Sequence, residues 1–127
     1  QIGFCQSHPY LQGSAAAVES IITNLLNNSL SAFEAAAVKN REIAIYTELE
    51  NDEVVIRVLD NGPGIDITQL SLREIWLPGK STRPNGTGLG LTIVRDAVSD
   101  LGGTVEAIAQ SELGGAEFIV RLPIIGA

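Results

Sequence analysis

Asp60-Asn61-Gly62-Pro63-Gly64-Ile65 and, further on, Gly86-Thr87-Gly88-Leu89-Gly90-Leu91 bound the stretch on which the reading of this chain turns. The first run follows Glu53-Val54-Val55-Ile56-Arg57-Val58-Leu59, so it sets a carboxylate and then a pliant backbone at the end of a strand. The second opens the apolar run Leu89-Gly90-Leu91-Thr92-Ile93-Val94, which puts free N–H groups at a helix start, where anions bind. Between them, Leu77-Pro78-Gly79-Lys80-Ser81-Thr82-Arg83-Pro84-Asn85 is rich in turn formers and reads as a lid carrying two cations. A carboxylate, two glycine turns and a basic flap point to a nucleotide pocket.

The rest of the composition is compatible with that pocket. A chain of 127 residues with 45% hydrophobic content supports one domain around one core, and no segment is long and apolar enough to span a bilayer. A soluble chain without membrane contact is expected. Eight Lys and Arg against fifteen Asp and Glu give a formal charge of -7, which argues against nucleic acid as a partner. A small polyanion stays compatible, because local donors and a divalent metal can outweigh the global field. Cys5 is alone, so there is no disulfide framework, and a cytoplasmic setting is expected. Gln1 in place of Met suggests a fragment of a longer protein, here taken as one domain over 1–127.

Upstream of the decisive stretch, Ile2 to Cys5 is compatible with a short edge strand, and His8 before Pro9 reads as an ordinary loop residue. Ser14 is a candidate N-cap for a helix over Ala15 to Val38, with Val18, Ile21, Ile22, Leu25, Leu26 and Phe33 on one stripe. Asn24 and Asn28 fall one turn apart on the shoulder of that stripe, and Asn27 on its far side. Each asparagine costs about 0.5 kcal/mol against alanine in a helix interior. Solvation explains Asn27, whereas for Asn24 and Asn28 a solvated and a functional reading stand side by side.

Arg41 to Leu49 and the Val54 strand form an expected antiparallel hairpin through Glu50-Asn51-Asp52-Glu53. Val54, Ile56, Val58 and Asp60 share a face, so a core-facing Val58 directs the Asp60 carboxylate inward as well. That carboxylate needs a donor, which a ligand amine or the turn at Gly62 could supply. Thr68 to Trp76 reads as a short helix with Trp76 beneath the lid, and Leu89 to Leu101 as a helix with Leu89, Ile93, Val94, Ala97, Val98 and Leu101 on its core side. Gly102-Gly103 end it, and Thr104 to Gln110 and Ala116 to Leu122 form a second hairpin. Runs of strands with segregated helices predict an α+β two-layer sandwich, its sheet mixed but mostly antiparallel and its helices on one face.

The asparagine helix, Asp-x-Gly-x-Gly, Gly-rich lid and Gly-x-Gly-x-Gly, in this order over nearly the whole chain, resemble the catalytic and ATP-binding domain of sensor histidine kinases, in the GHKL superfamily with its Bergerat fold. The resemblance implies ATP and Mg²⁺ as ligands. Asn28 would hold Mg²⁺ against the phosphates, with Asn24 lining the same site. Asp60 would take the adenine amino group, with Gly62, Gly64 and Ile65 against the base. Gly86, Thr87, Gly88, Leu89, Gly90 and Leu91 would wrap the phosphates, and Lys80 and Arg83 would neutralise charge on the transferring phosphoryl group. Relatives that hydrolyse ATP carry a glutamate where this chain has Asn24, and an amide is a poor base, so transfer to a protein side chain fits better than hydrolysis. A serine kinase of the anti-sigma type, a GHKL hydrolase and a non-catalytic nucleotide-binding module are the alternatives. Ser31 and Ala32 depart from the basic residue and tyrosine frequent in the family. His8 does not match a phosphoacceptor, so the acceptor is expected on a separate dimerisation domain of the same parent kinase, with a response regulator beyond it.

Overall fold

The computed structural model describes residues 15–67, 71–77 and 90–123. In chain order these form α1 (Ala15–Ala35), β1 (Ile43–Glu50), β2 (Glu53–Asp60), a single 3-10 turn (Glu74–Trp76), α2 (Gly90–Asp100), β3 (Thr104–Ile108) and β4 (Glu117–Pro123). The strands run in the order β1-β2-β4-β3, and every described pairing is antiparallel. β2, the strand that leads into Asp60, is therefore interior, bordered by β1 and β4.

Register explains where the core sits. Val54, Ile56 and Val58 stand opposite Leu122, Val120 and Phe118, which lays one continuous apolar face across the two inner strands. Ile21 and Leu25 of α1 and Val94 and Val98 of α2 close onto that face, so both helices lie on one side of the sheet. Trp76 meets the ring of Phe118 edge-on at 5.9 Å and extends the same core. The architecture is the two-layer α+β sandwich predicted from sequence.

An interior strand is buried on both faces, and β2 is: Val55 and Leu59, on the side away from the helices, are as buried as Val58. Glu117 is buried on that side too. Its carboxylate accepts a hydrogen bond from Arg57 Nε at 2.6 Å, and the guanidinium lies 5.6 Å from the Tyr46 ring centre. The bond to Glu117 is the main cause that raises the Arg57 pKa above its ordinary value.

Several expected boundaries move. α1 stops at Ala35, before the expected Val38. There the Val38 N–H bonds to Phe33 O at 3.0 Å and the Ala37 N–H to Glu34 O at 3.2 Å, with Ala37 at φ 51. This is a Schellman-type stop carried by alanine instead of glycine, so the run Ala35-Ala36-Ala37 gives no sequence signal for it. The short helix expected over Thr68 to Trp76 is, in its described part, only the 3-10 turn. Ser71 and Glu74 cap it reciprocally, each N–H reaching the other's side chain at 3.2 Å. Ile93, expected in the core, is 46% exposed. The buried stripe of α2 is centred on Val94 and Val98, and Ile93 lies about 120° round the helix from it at ~100° per residue. β3 ends at Ile108 rather than Gln110, because Ala109 turns its carbonyl to the Gly64 corner. The expected strand at Ile2 to Cys5, His8 and the Ser14 cap lie outside the described residues.

Because Ala37 holds a left-handed conformation that disfavours a Cβ, Ala37→Gly should raise stability by about 0.5–1 kcal/mol. A shift of the urea midpoint to higher denaturant at unchanged slope is the expected result.

Candidate functional site

The end of β2 brings a carboxylate to the edge of the core. Asp60 is 2% exposed. Its Oδ1 accepts the Gly62 N–H at 2.9 Å, the Asx-type turn that a strand-end aspartate was expected to make. Its Oδ2 accepts the Ser29 hydroxyl of α1 at 2.7 Å. Ser29 is itself 1% exposed, and sequence reading gave it no role. The available signal was its place on the buried stripe: Ile21, Ile22, Leu25, Ser29, Ala32 and Phe33 form the buried side of α1, and one polar residue on such a stripe requires a partner.

Behind this corner stands the segment linking β3 to β4. The Asp60 N–H donates to Ala116 O at 3.1 Å, and the Gly115 N–H donates to Asp60 O at 2.9 Å. Gly115 has no room for a side chain, since a Cβ there would lie 2.0 Å from Asp60 Oδ1 and 2.6 Å from the Gly62 nitrogen. Gly64 is fixed in a similar way. It holds φ +79, and a Cβ on it would lie 2.5 Å from Ala109 O, the atom that accepts the Ile65 N–H at 3.0 Å. Gly62 has no such positive φ, and its nearest Cβ neighbour would be Asp60 Oδ1 at 3.1 Å. Gly115, which falls between the two expected strands of the second hairpin and was given no role from sequence, thus shapes the Asp60 corner.

Asn61 ties the corner to the loop before β1, its amide donating to Asn40 O and accepting the Glu42 N–H.

α1 brings the asparagines to the same end of the molecule. Asn24 and Asn28 are half-buried and Asn27 is exposed, as the helical spacing predicted. Asn28 precedes Ser29 and so sits one residue from the Asp60 contact. Asn24 donates its amide nitrogen to Ser20 O at 2.8 Å, and its amide oxygen lies on the side of α2. A Cβ on Gly90, the first residue of α2, would lie 3.6 Å from that oxygen. One helix therefore runs from the Asp60 corner to the first turn of α2. Gly90 and Leu91 are half-buried, Leu91 against the core. Ile65 packs against the same core. Lys80, Arg83, Gly86, Thr87, Gly88 and Leu89 lie outside the described residues, as does any lid above Trp76. Trp76 is held from below: its carbonyl accepts the Thr92 hydroxyl at 2.9 Å.

The described residues thus place a buried carboxylate against an asparagine-bearing helix whose Asn24 lies near the first residue of α2. The family model for the histidine kinase-, DNA gyrase B- and HSP90-like ATPase matches residues 13–125. The chain belongs to that ATPase family. Within it the likeness is to histidine kinases. The catalytic domain of histidine kinase ThkA superposes with a TM-score of 0.71 at 30% identity, over 87% of this chain and 68% of that one. Full-length ShkA in complex with AMPPNP gives 0.69 at 27% identity, over 87% of this chain and 22% of that one. Sensor protein CitS of Halalkalibacterium halodurans is 40% identical over 106 residues, 82% of this chain and 19% of CitS. The chain spans about a fifth of the length of the curated relatives it matches.

Because the Gly115 position leaves no space in front of Asp60, Gly115→Ala should cost about 1–3 kcal/mol of stability by overpacking. Gly62→Ala should cost less, since its Cβ meets nothing nearer than 3.1 Å. Thermal unfolding of the two variants measures the ranking.

Proposed function

We propose that this chain binds MgATP at the Asp60 corner and donates the γ-phosphoryl group to a histidine on a separate dimerisation and phosphoacceptor domain of its parent kinase, within a two-component signalling system. The observation that carries this reading is the Asp60 carboxylate, buried and already holding two donors, with Asn28 one residue from its Ser29 partner.

An ionised carboxylate presents only acceptors, so Asp60 recognises the exocyclic amine of adenine and disfavours a keto oxygen at the same place. Gly62, Gly64 and Ile65 are the backbone against which the base would lie. Gly86, Thr87, Gly88, Leu89, Gly90 and Leu91 would supply N–H groups to the phosphates at the start of α2. Lys80 and Arg83 would offset charge on the phosphoryl group in transfer.

Mg²⁺ fits the donor set. Among the described residues no three His, Cys, Asp or Glu side chains gather into a cage, which suits a cation that takes most of its shell from water and phosphate. The Asn28 amide oxygen is a hard ligand of the right kind, and Asn24 lines the same helix face. When bound, the metal neutralises charge on the β- and γ-phosphates.

Hydrolysis is disfavoured by the same helix. Asn24 occupies the turn before Asn28 with its amide committed to Ser20, and an amide does not activate water at neutral pH. Glu19 is exposed and more than two turns from Asn28. Phosphoryl transfer needs no base of that strength on this chain; it needs a positioned acceptor nitrogen, which another domain would bring. A response regulator beyond the parent kinase and a cytoplasmic placement of this domain follow from this reading as further proposals.

Asp60→Ala should weaken MgATP binding by about ten- to a hundredfold, the worth of a hydrogen bond to a charged group, as measured by calorimetry. Mixing the chain with its parent's phosphoacceptor domain and γ-labelled ATP should yield acid-labile label on histidine. Absence of label, with steady phosphate release instead, would count against transfer and for hydrolysis.

A further inference from the structure

We propose that Ser29 is a positioning residue that sets base selectivity by holding the Asp60 carboxylate; this rests on the nucleotide reading above. Asp60 Oδ1 is held by its own turn, through the Gly62 N–H at 2.9 Å. Oδ2 accepts the Ser29 hydroxyl at 2.7 Å, and both groups are buried. A carboxylate gripped at one oxygen can still swing about its last torsion, which is broad for an sp²-terminated side chain. Gripped at both, it is fixed, and its remaining lone pairs point in set directions.

The hydroxyl has a single proton, and that proton is spent inward on Oδ2. The pair therefore offers no donor toward a ligand from the carboxylate side, and a keto oxygen brought against it finds only acceptors. Remove the hydroxyl, and Oδ2 must draw its donor from water. A water is both donor and acceptor, so it can bridge Asp60 to a keto oxygen as well as to an amine. Discrimination should fall even where affinity for ATP is partly kept. Ser29 can do this because it comes from α1, an element separate from the strand and turn that carry Asp60. Its neighbour Asn28 ties the same turn of helix to the proposed phosphate end, so base recognition and phosphate placement share one rigid support.

Inosine triphosphate replaces the adenine amine by a keto group and keeps the sugar and phosphates. Calorimetry with the 127-residue chain would give Kd for MgATP and Mg-inosine triphosphate in the parent, Ser29→Ala and Ser29→Thr. The expected result is a parent that prefers MgATP, a ratio of the two constants that falls at least about tenfold in Ser29→Ala, and a ratio restored in Ser29→Thr, which keeps a hydroxyl. A purely structural role would raise both constants together and leave the ratio unchanged, and that result would overturn the proposal. Should Ser29→Ala fail to fold, Ser29→Cys carries the same test, since it keeps the volume and offers only a weak donor. A parent that binds neither nucleotide would overturn the nucleotide reading itself, and this inference with it.

Discussion

Keeping a carboxylate buried at the end of an interior strand is the constraint from which the rest of this structure follows. Leaving a polar group unsatisfied in such a place costs several kcal/mol, and an isolated charge costs more. The described structure meets the requirement with two donors and holds the backbone of the same residue from a third side. The turn after the strand contributes the Gly62 N–H, the long helix contributes the Ser29 hydroxyl, and the link between the last two strands clamps the Asp60 backbone through Gly115 and Ala116. The contacts come from three different elements, so holding this one residue ties the helical layer, the strand end and the rear hairpin together.

The two faces of the sheet carry different tasks. Toward the helices, Val54, Ile56 and Val58 with Leu122, Val120 and Phe118 provide the apolar platform that fixes α1 and α2. On the opposite side the Arg57 to Glu117 bond spans two neighbouring strands over buried Val55 and Leu59. That ion pair is well made but points away from the helices, and it is best understood as satisfying Glu117. At one end of the helical face Asn24 approaches Gly90 and Ser29 reaches Asp60. The chain's membership of the histidine kinase-, gyrase B- and HSP90-like ATPase family is what directs the nucleotide proposal to this end.

Much of this was legible in the residues. Period-two alternation assigned Val54, Ile56, Val58 and Asp60 to one face, and period-3.6 spacing put Asn24 and Asn28 on the shoulder of α1 with Asn27 outside. What was not legible had physical reasons. The helix end at Ala37 uses an alanine in a left-handed conformation, so no glycine marked it. Ile93 was misassigned because a short helix has room for two apolar stripes, and packing against Val94 and Val98 chose between them. Strand order was beyond pattern reading: two hairpins were evident, but that β2 borders β4 and not β3 is decided by long-range pairing. Ser29 and Gly115 escaped notice because their importance lies wholly in what they touch, and Asp60 is separated from both by long stretches of chain.

An adenine nucleotide is proposed to bind on the helical side, at the Asp60 end. A titration of the isotope-labelled chain with MgATP, followed by amide and side-chain NMR shifts, tests this directly. Saturable changes are expected at Ser29, Gly62, Gly64 and Gly115 and at the side-chain amides of Asn24 and Asn28, with Tyr46, Arg57 and Glu117 on the far face undisturbed. Changes centred on that far face, or spread without regard to Asp60, would contradict it.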